Sequence, residues 1–241
     1  MSHYVTIMDI DFLNTTKETF LRAFIQPRLM NEQPCFIVTA NPEIVMQTRE
    51  DPAYKKSVKQ ADYVVPDGAG ILLAAKSMKQ PLQERIAGYD VMIDLLRYAD
   101  KHGLSCYFLG AEETVNKKAV AEVNRNFPNV RVAGRHHGFF DVDDPEVSDA
   151  IARSGADLVF VALGLPRQEL WIAEHKEMFS KGVFMGVGGS FDVLAGTAKR
   201  APDIWINLNL EWLYRLLKQP FRWKRILKVF EFIIRIVFKR S

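Results

Sequence analysis

Only two cysteines occur in this 241-residue chain, and neither sits in a CxxC or Cys/His spacing. That leaves no basis for a disulfide scaffold or a zinc site. Cys35 and Cys106 lie in apolar runs and are expected as reduced core residues of a cytosolic protein. No uninterrupted run of 18 apolar residues exists, so no spanning helix is expected. Met1–Asp11 lacks the basic start and apolar stretch of a secretory signal, so none is expected. Gly186-Val187-Gly188-Gly189-Ser190 is not a dinucleotide fingerprint, because Phe191 stands where the third glycine belongs and no acid follows at the required distance. GxxxxGK[ST] and GxSxG are missing as well, which removes P-loop and serine-hydrolase readings.

What remains is ordinary for a soluble globular protein, at 48% hydrophobic and 25% charged residues. The length supports one sizeable core with a small addition. Five short apolar runs, β-branched or aromatic, each end in small or polar residues. Cys35–Val38 runs into Thr39-Ala40-Asn41, Ala61–Pro66 into Asp67-Gly68, and Cys106–Leu109 into Gly110. Leu158–Leu163 runs into Gly164-Leu165-Pro166-Arg167-Gln168, and Val183–Met185 into Gly186-Val187-Gly188-Gly189. Helix-like segments separate these runs, which predicts an α/β fold of parallel strands alternating with helices. In such a sheet ligands bind outside the carboxyl ends of the strands. The pattern therefore puts an acid, an amide, a hydroxyl and several glycines where a substrate should lie. Asn14–Glu18 predicts a helix cap, Pro42 suits the first turn of a helix after Asn41, and Gly103 suits the end of a helix over Tyr89–His102. Thr114–Phe127 and Pro145–Ser154 read as further helices. Residues 1–200 read as one domain and 201–241 as an appendage.

The net charge of +3 conceals a division. From Trp212 onward nine Lys/Arg face one acid, a net +8, while the preceding residues total −5. Ile204–Lys218 and Phe221–Phe238 read as helices. On a helical wheel Ile226, Val229, Phe230, Ile233, Ile234, Ile236 and Val237 share one face, and Arg225, Lys228, Arg235 and Lys239 gather on the other. A basic amphipathic helix of this kind suits an anionic membrane surface, with Trp205, Trp212, Tyr214 and Trp223 at headgroup level. The alternative is a helix packed on the body or on a partner. A strong apolar face argues against nucleic acid.

Several residues are candidates for chemistry. Asp67 is placed to act as a general base, or to cap the helix expected near Ala69. Thr39 and Asn41 could hydrogen-bond a sugar or nucleobase, or serve as turn and cap residues. The glycine turn at 186–190 could present backbone N–H groups to a phosphate. Asp9-Ile10-Asp11 and Asp141-Val142-Asp143 fit DxD, but both read better as structural. His136 and His137 read as loop residues.

Thr39-Ala40-Asn41-Pro42-Glu43, Pro66-Asp67-Gly68 and Arg85-Ile86-Ala87-Gly88-Tyr89-Asp90 appear in order. They are followed by Ala162–Glu169, Gly186–Asp192, Lys199-Arg200-Ala201-Pro202 and Leu210–Leu216. Taken together, these ordered motifs resemble the WecG/TagA/CpsF glycosyltransferase family over nearly the whole chain. The resemblance implies a compact Rossmann-like sheet with helices on both faces and a C-terminal membrane-binding appendage. It implies an inverting, metal-independent enzyme without a cofactor. Members move N-acetylmannosamine, or its uronic acid, from UDP onto undecaprenyl-diphosphate-linked GlcNAc, for wall teichoic acid or surface polysaccharide. Carried over by motif, Asp67 is the base, Arg85 and Gln168 are catalytic, and Thr39, Asn41, Gly68, Gly186, Gly188 and Gly189 bind substrate. Arg215, Arg222 and Arg225 are candidates to meet the diphosphate. The implied partners are a UDP-sugar, the lipid-linked acceptor and the inner face of the cell membrane, with no nucleic acid; a homo-oligomer is left open. Alternatives are a UDP-ManNAcA or UDP-glucose donor, or a non-enzymatic nucleotide- or lipid-binding regulator on the same fold.

Overall fold

The computed structural model describes residues 3–208, 210–218 and 223–238; the side chains at 203, 207, 215, 223–226, 237 and 238 lie outside the described set. The chain opens with a hairpin, β1 (Tyr4–Ile7) and β2 (Ile10–Leu13). Helical residues follow as α1 (Lys17–Thr19), a π-helical segment (Phe20–Ile25) and α2 (Gln26–Met30). Strands and helices then alternate: β3 (Cys35–Ala40), α3 (Pro42–Glu50), α4 (Pro52–Lys59), β4 (Tyr63–Pro66), α5 (Ala69–Ser77) and α6 (Gly88–His102). The second half continues with β5 (Ser105–Gly110), α7 (Glu113–Asn126), β6 (Arg131–His136), α8 (Pro145–Ser154) and β7 (Leu158–Ala162). It closes with α9 (Arg167–His175), β8 (Val183–Gly186), α10 (Ser190–Leu194), α11 (Asp203–Asn207), α12 (Glu211–Lys218) and α13 (Trp223–Phe238).

The central sheet has six strands in the order β4-β3-β8-β7-β5-β6, and every pair in it is parallel. Its inner strands are buried on both sides because successive residues enter different cores. In β3, Phe36, Val38 and Ala40 join one core, and Cys35 and Ile37 the other. The same alternation divides Tyr107 and Leu109 from Cys106 and Phe108 in β5, and Phe184 from Val183 and Met185 in β8. Helices α3, α4, α8 and α9 cover the first core, and α6 and α7 the second. The result is an α/β fold with a parallel sheet flanked by helices. β5 continues outward to β6, whereas its neighbour β7 returns to β8, so the winding reverses between them. Such a reversal opens a crevice at the carboxyl ends.

All five expected strands are present, and both cysteines are buried and free. Three further strands were not legible. β6 reads Arg-Val-Ala-Gly-Arg-His, with no apolar run, because an edge strand is covered by one neighbour only and its residues are half-buried or exposed. The hairpin turns at Met8 and Asp9, both at positive φ (49° and 66°). That turn normally signals itself with Asn or Gly, and here it does not. The Thr16 side chain caps α1 through the Thr19 N–H, Pro42 opens α3, and Gly103 ends α6 in the left-handed region, as expected.

Helix α13 packs on α3 and α5. Phe232 is fully buried in the first core, with Ile233 and Ile236 packed against it, and Lys228 Nζ reaches Gln47 Oε1 (3.2 Å) and Glu50 Oε2 (2.8 Å). The apolar face expected for this helix is thus divided. One stripe seals the body, while Leu227, Phe230 and Ile234 form another stripe, each more than half exposed. No helix among the described residues is long and apolar enough to cross a membrane.

Candidate active site

A cleft of ≈ 1060 Å³ lies at the carboxyl ends of β3, β4, β5, β7 and β8. Thr39, Asn41, Asp67, Gly68, Arg85, Gln168, Gly186, Gly188 and Gly189 all line it. Five separate chain segments therefore converge where the strand-end pattern placed a substrate. Arg222 lies outside the described residues, as do the side chains of Arg215 and Arg225.

Asp67 follows β4, and its N–H extends the ladder to Ala40 O (2.9 Å). It does not cap α5. Gly68 takes the N-cap position at φ 86°, a conformation that favours glycine. That turn leaves the Asp67 carboxylate at the N-terminus of α6 instead, where Oδ2 accepts from Gly88 N–H at 3.4 Å. Oδ1 receives Arg85 Nε, also at 3.4 Å. Gly88 has to be small here, since a Cβ on it would stand 2.6 Å from Thr39 Oγ1.

Arg85 is shared. Its Nη2 donates to Glu211 Oε2 at 2.7 Å, so one guanidinium joins the end of β4 to the start of α12. Burial opposes the Arg85 charge, but Asp67 and Glu211 outweigh it and hold the pKa above its ordinary value. Glu211 was missed as a site residue. The available signal was that it is the only acid between Ile204 and Phe230, in an otherwise basic and apolar segment.

Gln168 stands in the first turn of α9 and is buried. Its Oε1 accepts from Gly188 N–H (3.1 Å), and its Nε2 donates to Glu169 Oε1 (2.7 Å). The other oxygen of Glu169 accepts from the buried Tyr54 hydroxyl (3.0 Å). Burial pushes the Glu169 carboxyl up to about 7, against the downward pull of the two donors. The glycine turn after β8 carries structural contacts of its own while lining the cleft. Gly188 N–H is taken by Gln168, and Gly186 makes room for the Gln168 and Glu169 side chains.

Asn41 caps α3 by accepting from Ile44 N–H (3.0 Å) while lining the cleft. Arg200, within the Lys199–Pro202 motif, adds a cationic wall. It pairs with Asp90 (2.8 Å) and lies 4.8 Å from the Tyr89 ring centroid. The two DxD segments sit elsewhere: Asp9 pairs with Lys55 (2.9 Å), Asp11 accepts from Thr6 (2.6 Å), and Asp141 accepts from Asp143 N–H (3.2 Å). His136 belongs to β6 rather than to a loop, with Nδ1 2.8 Å from His137 O.

The assembled cleft holds a carboxylate at a helix N-terminus, a doubly paired arginine, a buried amide and further cations. Such a site can accept a proton from a substrate hydroxyl and face an anionic leaving group. Comparison with known proteins agrees in outline. A relative from Bacillus spizizenii, named N-acetylglucosaminyldiphosphoundecaprenol N-acetyl-beta-D-mannosaminyltransferase, is 40% identical over 96% of this chain and 90% of its own length. A relative of the same name from Bacillus subtilis is 37% identical over the same shares. Another, from Staphylococcus aureus, is 40% identical over 92% of this chain and 86% of its own length. The model of the glycosyl transferase WecG/TagA/CpsF family matches residues 5–241, and the chain belongs to that family.

Proposed function

We propose that this chain is an inverting glycosyltransferase that moves N-acetylmannosamine from UDP-ManNAc to undecaprenyl-diphosphate-linked GlcNAc. The product serves an early step of wall teichoic acid or other surface-polysaccharide synthesis. The observation that carries the reading is the shared activity name of relatives aligned along about nine-tenths of both chains, together with a strand-end cleft containing Asp67. Asp67 takes the proton of the acceptor hydroxyl as that oxygen attacks the anomeric carbon. The bond from that carbon to the UDP oxygen breaks on the opposite face, and UDP leaves with its electron pair. Cations of the cleft and tail, with Arg215, Arg222 and Arg225 as candidates, stabilise the diphosphate. Gln168, Thr39 and Asn41 orient the sugars.

The acceptor's lipid stays in the bilayer, so the enzyme works peripherally at the inner membrane face. The exposed Leu227–Phe230–Ile234 stripe and the +8 charge after Leu210-Glu211 support that placement. A donor panel tests the proposal. Radiolabelled UDP-ManNAc, UDP-ManNAcA and UDP-glucose are each offered with a GlcNAc-diphosphate-lipid analogue. Transfer from UDP-ManNAc is expected. Preference for another donor would reassign the sugar, and absence of transfer from all three would favour a regulator that only binds.

A further inference from the structure

The Nε and Nη2 groups of arginine form one edge of the guanidinium, the edge that grips a single carboxylate with two parallel bonds. In Arg85 that edge is divided between two carboxylates. Nε faces Asp67 at 3.4 Å, whereas Nη2 faces Glu211 at 2.7 Å. Glu211 is buried and lies 126 positions away in sequence, at the first residue of α12. We propose that Glu211 is a positioning residue: by holding Nη2 it keeps Arg85 from closing on Asp67, so that Asp67 stays available as a base only while α12 is seated. This rests on the reading of Asp67 as the base.

Two effects act in the same direction. Without Glu211 the free edge can pair fully with Asp67, and an arginine in two-bond contact makes a carboxylate a weaker base. The Glu211 charge also repels the ionised form of Asp67, and that repulsion is lost too. Other charged groups share the cleft. Among the described residues, Glu43 of α3, Glu112 before α7 and Asp192 of α10 are its remaining acids, while Asp90 of α6 is held by Arg200. The remaining bases among the described residues are Arg167 of α9, Lys218 of α12 and Lys199, and the phenols are Tyr89 and Tyr214. Among the described residues, the ion pairs of Arg85 are those with Asp67 and Glu211.

The test is the pH–rate profile of Glu211→Gln in the full-length enzyme. The acid limb is expected to move down by about one unit, the lower end of what an adjacent arginine does to an aspartate. Turnover on the plateau should fall several-fold, because a weaker base serves less well. In an Arg85→Ala background the same change should move the limb clearly less, since only the direct repulsion by Glu211 is then left to lose. Should the variant fold poorly, titration of the labelled Asp67 carboxyl by NMR in wild type and in Glu211→Asp reads the same quantity without turnover. An unmoved limb, or an equal loss at every pH, would overturn the proposal. Failure of the base reading shows separately, as near-normal turnover of Asp67→Asn.

Discussion

Gly186 lies against the amide of Gln168: a Cβ built on it would stand 2.7 Å from Gln168 Nε2 and 3.0 Å from Glu169 Oε1. Both side chains are buried and hydrogen-bonded, so neither can swing aside. Gly186→Ala should therefore overpack the back of the cleft and lower stability by about 1–3 kcal/mol. Activity should fall beyond what the lost stability explains, because Gln168 moves. Urea melts beside steady-state kinetics check this; a neutral substitution would mean that the amide has more room than the geometry indicates.

Asp67→Asn is expected to fold normally. No cap is lost, since Gly68 occupies that position, and Arg85 keeps Glu211. Turnover should drop roughly 10²–10⁴-fold, the span of general-base catalysis. Circular dichroism and transfer assays on the same preparation separate the two effects.

Glu169 makes stability depend on pH. Its folded pKa, about 7, lies above the ordinary value of 4.5, so the native state retains a proton that the unfolded chain gives up. Stability from this group is complete below pH 4.5 and declines as pH rises through 7, by roughly 3 kcal/mol in all. Glu169→Gln carries no such charge, and the Tyr54 hydroxyl can rotate to accept from the new amide. Melts at pH 5, 6, 7 and 8 should show wild type losing stability relative to the variant. Parallel curves would argue that Glu169 ionises as readily folded as unfolded.

Helix α13 offers two stripes with opposite expected behaviour. Phe232→Ala opens the first core and should cost about 3–5 kcal/mol. Replacing the exposed Leu227, Phe230 and Ile234 with serine should leave the melt nearly unchanged and weaken sedimentation with phosphatidylglycerol-rich vesicles. If sedimentation does not change, the membrane role is lost. Deleting the helix would not separate the two roles, because Phe232 goes with it.

Activity should survive excess EDTA. Asp9 and Asp11 are committed to Lys55 and Thr6, and the cleft is lined by cations that can stabilise a leaving group's charge. Loss of activity with chelator and rescue by Mg²⁺ or Mn²⁺ would return the DxD carboxylates as candidate ligands.

The sequence by itself determined which segments meet at the cleft. Strand periodicity, Pro42 opening α3 and Gly103 closing α6 are local features, and a parallel sheet brings strand ends to one side whatever the details. Asp67, Thr39, Asn41, Arg85 and Gln168 follow from that rule together with the family motifs, and all five line the cleft. Tertiary structure alone decided what each of them touches. Asp67 lies beside α6 rather than capping α5 because Gly68 turns the chain at positive φ. Gly186 makes room for the neighbouring Gln168 and Glu169 side chains. Glu211 reaches Arg85 across 126 positions, a separation at which no periodicity operates. The same holds for α13, whose apolar arc is wider than one surface can cover. The sequence defined the arc, but the shape of α3 and α5 selected the stripe that is buried.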